Sequence, residues 1–457
     1  MTTEQEQASP ATAVREGQVA EVLSLDQHVS KLAKFGGYGL IETTVEGSAN
    51  LNPEKKARKK IFLTESAKAQ ERLELKQRLE LYRDLVASSE SVADMLEHCQ
   101  SRADAAHNLL KANLLKTIEA TRNLERSYRS VAFFYKNTDQ DKVKNLSIMN
   151  AEPEQLRDLD NTTFIDAVNE ELVDNFDRLD LRDHYSMLVV PGYLGNNKVV
   201  EKWAKIAHQN KVMLITDFEH LDAPEDVLEL FESAEMTGGD AYLSNVMMTC
   251  NWLVGRGKYV EEEEEDDLFV PPSTAVAGKV YTTLASQVAA GRKHGALTEV
   301  SGVRFDLKKS EIANLEKVGL IPMVNEYGKV MPFSAKTLFN GDNLGLQTYS
   351  VVRVFDYITK VLIDFLNRRA FENFDYNTRA DVENQIARFL NKITGPGKLI
   401  EKFKILRFEQ DPDQKDRIFM DIHMTPYFPA KSYLIKLDGQ KGDDADSAEW
   451  KSEYAQQ

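Results

Sequence analysis

The stretch VPPSTAVAGKVYTTL, running from Val270 to Leu284, carries the decisive reading of this chain. Pro271 and Pro272 fix two φ angles and withhold two backbone donors, so the segment reads as a stiff turn. Directly before it stands EEEEEDD, Glu261 to Asp267. Seven adjacent like charges repel one another and resist burial, which predicts an exposed loop. The Pro-Pro segment is therefore expected to mark a junction between a strand and a helix. Helices are expected near Thr282 to Gly291 and over the long stretch Leu344 to Asn373. RADVENQIARFLNKI, from Arg379, continues as helix until the glycines of Gly395-Pro396-Gly397 end it.

Upstream lies YSMLVVPGY (Tyr185 to Tyr193), then a helical pattern at Val199 to His208, then VMLITDF (Val212 to Phe218). Strand, three helical turns and strand form a βαβ signature, so this section should be α/β with parallel pairing. Helices are also expected over Phe164 to Phe176 and over Pro224 to Met236, the latter with its proline in the first turn. Ser130 to Asn137 and Val143 to Ala151 read as strands from their β-branched and aromatic content. Earlier still, helical sequence dominates from Thr64 to about Ser130, with apolar stripes at Leu75, Leu79, Tyr82 and Val86 and at Leu109, Leu110, Leu114, Leu115 and Ile118. An amphipathic helix with Val22, Leu25, Val29 and Leu32 is expected from Gly17 to Phe35, closed by the turn GGYG. The C-terminal section turns to strands at Phe403 to Asp411, Arg417 to Phe428 and Ser432 to Leu437. In the second, Ile418, Met420, Ile422 and Met424 share one face. The acidic end EWKSEY is expected to form a helical turn or two, with Glu449 and Glu453 four apart.

The chain of 457 residues is 42% hydrophobic and 28% charged, the balance of a globular protein with more than one domain. A net charge of −16 argues against a generic nucleic-acid binder, because phosphate contacts require clustered Lys and Arg. Two distant cysteines, Cys99 and Cys250, suit a reducing compartment. With neither a signal-peptide start nor a membrane-length apolar run, the expected location is the cytoplasm.

Catalytic patterns are thin. No phosphate-loop, dinucleotide, nucleophile-elbow, zinc-protease or paired CxxC motif occurs. The most enzyme-like spot is Asp217, Glu219 and His220, which follow an apolar strand where α/β folds place ligands and could hold a metal. The plainer reading is that Asp217 caps the next turn. Asp421 and His423 share a strand face, but two ligands do not make a zinc site. No cofactor is implied.

Where chemistry is thin, a resemblance is present. VPPSTAVAG resembles the PPS-x-x-x-AG stretch of phage tail-sheath proteins. Leu315, Gly319, Ile321, Pro322, Gly328, Thr337 and Leu338 are similar to the sheath element in which a helix precedes a short hairpin. YSVVRVFDYI, with Arg353 and Asp356, fits the long helix that follows. NLERSYRSVAFF (Asn123 to Phe134) resembles an LE-x-x-W-R-x-L element of the large subunit of the type VI secretion sheath, the TssC/VipB family. Leu124, Glu125 and Arg129 match it, and Tyr128 stands where the pattern has Trp. AYLSNVMMTCNWL is similar to that family's apolar helix near its centre.

The resemblance implies a mixed α/β (α+β) fold, contractile-tail-sheath-like, with an N-terminal helical region and a C-terminal β-rich assembly region. It divides the chain into a flexible arm with helix and assembly strand (1–60), a helical region packing with a small sheath subunit (61–130), an α/β body (131–400, acidic loop 261–267) and C-terminal strands with an acidic tail (401–457). It implies a non-enzymatic structural subunit that assembles with a TssB/VipA-type small subunit and with its own copies around an inner tube of the Hcp type, on a baseplate. Contraction of the sheath would then propel the tube. Val22, Leu25, Val29 and Leu32 match a helix read by an AAA+ recycling unfoldase of the ClpV type, or else a subunit-docking helix. Ile418, Met420, Ile422 and Met424 mark strands suited to pairing between subunits. Glu449 and Glu453 are expected to face the inner tube. The near alternative is a phage-tail or extracellular contractile injection sheath; the remote one is a metal-dependent enzyme using Asp217 and His220.

Overall fold

The computed structural model describes residues 60–139, 143, 145–439 and 450–455. The helix expected at Gly17 to Phe35, with Val22, Leu25, Val29 and Leu32, lies outside the described residues, as does Glu449. After helical residues at 60–64 come two long helices, α1 (Ala69–Ser88) and α2 (Val92–Asn137). Ser91 starts the second by accepting a hydrogen bond from the Asp94 amide at 3.1 Å, an N-cap with an acidic residue three positions on. Contacts divide the chain within α2, between Thr117 and Ile118.

The second unit holds the core. It runs through α3 (Pro153–Arg157), α4 (Thr163–Phe176), β1 (Met187–Tyr193), α5 (Asn197–Gln209), β2 (Met213–Asp217), α6 (Pro224–Ser233) and β3 (Val246–Cys250). There follow β4 (Leu253–Arg256), β5 (Leu268–Val270), α7 (Ser273–Thr282), α8 (Gly291–His294), β6 (Gly302–Val303), α9 (Lys309–Lys317), β7 (Leu320–Glu326) and β8 (Lys329–Pro332). Last come α10 (Tyr349–Asn367), α11 (Tyr376–Lys392), β9 (Ile400–Gln410), β10 (Ile418–Pro426), β11 (Leu434–Gly439) and β12 (Trp450–Ala455).

Because β2 and β3 are apolar at almost every position, they require cover on both faces, the signature of a parallel sheet. The sheet order is β1-β2-β3-β7-β8, parallel except for the last pair. Alternate residues then serve two cores. Leu214, Val246, Met248, Leu320 and Val324 face α4, α5, α6 and α9, where Trp203 is fully buried and donates from Nε1 to the Leu156 carbonyl at 3.0 Å. Met213, Ile215, Met247, Ile321 and Met323 face α7, the start of α10 and the end of α2. A third core joins the later turns of α10 to α11 and to the β9–β10 hairpin. No helix among the described residues is long and apolar enough to cross a membrane.

Several expectations are corrected. Ser130 to Asn137 is the end of α2, not a strand: Ser130, Phe133 and Asn137 are buried at helical spacing, and packing on α7 outweighs the β-propensity of the run. Val143 to Ala151 forms no strand among its described residues. The helix after the Pro-Pro turn is Ser273–Thr282, earlier than Thr282 to Gly291, since proline is tolerated just before a helix. AYLSNVMMTCNWL is a short 3-10 turn followed by β3, with both of its sides buried. Leu344 to Asn373 and its continuation are two helices, α10 and α11, separated at 368–375, where Asp375 accepts from the Thr378 amide at 2.7 Å and caps α11. The described part of EWKSEY is strand and not helix: Trp450–Ala455 pairs antiparallel with β11, and Glu453 lies opposite Lys436.

Gly278, the last residue of VPPSTAVAG, sits where α7 crosses α2. A Cβ there would stand 2.7 Å from the Phe134 carbonyl oxygen and 3.0 Å from the Asn137 carbonyl carbon. Both are backbone atoms, so the helices would have to separate. Gly278→Ala is expected to destabilise by about 1–3 kcal/mol despite alanine's better helix propensity. Gly239→Ala, with no heavy atom within 4 Å of the added carbon, should stay within about 0.5 kcal/mol. Urea denaturation of the two variants checks the contrast.

Candidate assembly surfaces

Asp217 ends β2 at its carboxyl end and is fully buried. Its Oδ1 accepts from the Ser273 amide at 2.7 Å and from the Thr249 hydroxyl. Its Oδ2 accepts from the Ser273 hydroxyl at 2.6 Å and from the Gly192 amide at 2.8 Å. A carboxylate has about four such sites, and here all four are used. Burial pushes the Asp217 carboxyl up from its ordinary range, while the donors from Ser273, Thr249 and Gly192 pull it back. The arrangement ties the ends of β1, β2 and β3 to the N-terminus of α7, where a negative charge is favoured.

His220 does not join it. Its ring packs between Trp252 and Phe269, with centroids 5.0 and 4.7 Å away, and burial first, then Arg304, pushes its pKa down to about 4. The remote alternative of a metal held by Asp217 and His220 finds no support in this geometry: the carboxylate is saturated and the imidazole is stacked in an aromatic slot. Among the described residues, no group of three His, Cys, Asp or Glu side chains is placed to hold a metal.

The segment NLERSYRS divides between two faces of α2. Arg122, Glu125, Arg126 and Arg129 recur at three- and four-residue spacing and face the β4–β5 connection. Arg129 donates to the Gly255 carbonyl at 3.0 Å and Arg126 to the Phe269 carbonyl at 3.1 Å. Glu125 pairs with Arg129 at 2.8 Å and with Arg256 at 3.1 Å. Glu264 pairs with Arg122 and, at 2.7 Å, with Arg256. The acidic run is therefore not wholly exposed. Glu264 is buried, because two arginines supply the countercharge that its neighbours withhold. The opposite face of α2 presents Leu124 and Tyr128, one turn apart and 72% and 70% exposed.

Within the first unit, the described residues 60–117 have little interior of their own. Among its residues of described burial, Ser91 alone is buried. Leu73, Leu79, Leu81, Tyr82, Leu109 and Leu110, drawn largely from the expected stripes, are all exposed. Long helices with uncovered apolar residues mark a docking surface. At the other end of the chain, β9–β10 and β11–β12 are separate two-stranded sheets. Met420, Ile422 and Met424 pack against the third core, whereas Ile418 is exposed. Glu453 is exposed and lies 3.3 Å from Lys436.

A parallel α/β body with a saturated, structural carboxylate where an active site is often found, and with apolar helices left uncovered, has the marks of an assembly subunit. Family models agree. The type VI secretion system TssC/VipB central domain matches residues 116–340, the TssC/VipB-like C-terminal domain 348–456 and the TssC/VipB-like N-terminal region 25–114. Together they take in nearly the whole chain, which belongs to the TssC/VipB family. A tail sheath protein of Vibrio phage KVP40 is 26% identical over 168 residues, which make up 35% of this chain and 25% of the phage protein. The contracted helical sheath of the anti-feeding prophage overlaps 68% of this chain and 81% of its own, at 15% identity and a TM-score of 0.44. The contracted PVC sheath complex of an extracellular contractile injection system overlaps 54% and 69%, at 13% identity and a TM-score of 0.40.

The Glu264 cluster sets a pH dependence. Hydrogen bonding to Arg256 holds the Glu264 carboxyl below its ordinary value of 4.5. The folded state therefore binds fewer protons than the unfolded chain, and the stabilisation is complete above about pH 4.5 and lost as pH falls through the folded value. Glu264→Gln should cost about 1–3 kcal/mol at pH 7, a gap from the unaltered chain that narrows as pH falls below 4.5 and through the folded value. Thermal unfolding of both proteins across that range measures it.

Proposed function

We propose that this chain is the large subunit of a type VI secretion contractile sheath, which assembles with a small sheath subunit and its own copies into a helical tube around an inner tube. The observation that carries the reading is the pairing of family membership with uncovered apolar helices. In residues 60–117 only Ser91 is buried among those of described burial, and Leu124 and Tyr128 stand exposed on the second unit. The small sheath subunit is the occupant proposed for these helical surfaces. The C-terminal strand pairs offer edges for main-chain pairing between copies, and contraction would move rigid bodies that stay linked through such strands. The exposed positions of Ile418 and Glu453 suit these contacts, with Glu453, and Glu449 beyond the described residues, directed at the inner tube. Val22, Leu25, Val29 and Leu32 are proposed as the handle for the recycling unfoldase. The sheath is proposed to work in the cytoplasm, seated on a baseplate.

Co-expression with the small sheath protein and negative-stain microscopy test the reading. Tubes are expected only when both proteins are present. Tubes from this chain alone would instead make it a sheath of the phage-tail or extracellular type. Tyr128→Ala should leave the thermal midpoint within about 2 °C, as expected of a surface change, yet reduce tube yield severalfold. Deleting residues 1–35 should abolish capture by the unfoldase while tubes still form; intact capture would remove the handle assignment. Glu453→Lys should weaken docking of the sheath on inner tubes, and unchanged docking would remove that contact.

A further inference from the structure

The turn between α10 and α11 projects an aromatic ring into solvent. Phe371 is fully exposed and its φ is +69°, a region where a phenylalanine is rare and glycine is the usual choice. The turn around it is braced. Arg369 donates to Glu372 and Asp381, each at 2.8 Å, and Asp375 caps α11. Arg368, exposed and three residues before Phe371, pairs with Asp364 at 2.8 Å. A hydrophobic ring held out on a strained, braced turn is a preformed knob.

A matching depression lies elsewhere on the same unit, between α6 and α9. This groove of about 770 Å³ has Phe231 and Met236 as its floor and Leu228 and Val318 in its walls, with the exposed acids Glu232 and Glu235 among its lining residues. Glu235 is also held at positive φ, at +49°. Two acids, Glu232 and Glu235, against the single Lys317 leave the lining net negative, which complements Arg368 on the same turn as Phe371.

We infer that Phe371 of one copy seats in the Leu228–Phe231–Met236–Val318 groove of the next copy, with Arg368 facing Glu232. Because knob and groove are different surfaces of one chain, the contact is heterologous, and its repetition builds a ring or an open helix and not a two-fold dimer. The inference rests on the sheath reading above and names one of its self-contacts. Ring burial supplies attraction, and the charges set register.

The test uses tubes formed by the full chain co-expressed with its small sheath partner. Phe371→p-benzoylphenylalanine keeps the ring and allows photo-crosslinking, and the attached peptide is identified by mass spectrometry. The expected attachment is within residues 228–237 or 314–318 of another copy. Attachment to the small subunit, to the inner tube or elsewhere on this chain overturns the inference. If that variant forms no tubes, charge exchange decides. Glu232→Arg and Arg368→Glu should each lower tube number at least tenfold, and the double variant should restore it. Singles that assemble as well as the unaltered chain, or a double no better than the singles, overturn the inference. Failure of the unaltered chain and its partner to form tubes would count against the sheath reading itself.

Discussion

The carboxylate of Asp217 is the point on which the α/β body is organised. Its four acceptor sites are filled by donors from Gly192 on β1, Thr249 on β3 and Ser273 at the start of α7. Removing a carboxylate from water costs several kcal/mol, a loss offset only when the new hydrogen bonds are complete. Here they are. The result is directional: the strand ends cannot slide past one another, and α7 cannot leave the sheet, without exposing an unpaired buried charge. Gly278 then lets the same helix meet the backbone of α2, so one carboxylate fixes the start of α7 and one missing side chain its middle.

From that frame the outer surfaces follow. The end of α2 packs on α7 through Phe133, and Arg122, Glu125, Arg126 and Arg129 clamp it to the β4–β5 connection. Fixing one face leaves the other free, and Leu124 and Tyr128 occupy it. Rigid placement of exposed apolar groups is what an assembly subunit requires, since a partner then has little ordering entropy left to supply. Strength in the interior and apolar surface outside are two consequences of the same packing.

Much of this was legible in the sequence, for identifiable reasons. Strand β2 was readable because a strand buried on both faces is apolar throughout, β1 from its apolar MLVV run, and α4, α5 and α6 because their periodicity is clean. What depended on distant partners was not readable. Ser130 to Asn137 has strand-like composition, yet α7, some 140 residues later in the chain, makes it helix. Glu264 is buried among like charges because Arg122, separated from it by 142 positions, reaches it. Asp217 was singled out for chemistry, and its unusual placement was real; its role was missed because Ser273 and Thr249 meet it only in three dimensions. A hydroxyl beginning a helix after Pro-Pro was the available signal. β12 was hidden in a charged, alternating segment that reads equally well as a short helix until its partner β11 is known.

The central claim is that Asp217 holds α7 on the sheet. Hydrogen exchange at the Ser273 and Gly192 amides, compared between the unaltered chain and Asp217→Asn, tests it most directly. Both amides should exchange as slowly as the sheet core in the unaltered chain and markedly faster in the variant, while Trp203 Nε1, which donates to the Leu156 carbonyl and not to Asp217, keeps its protection. Fast exchange at Ser273 in the unaltered chain, or equal protection in the variant, would contradict the account.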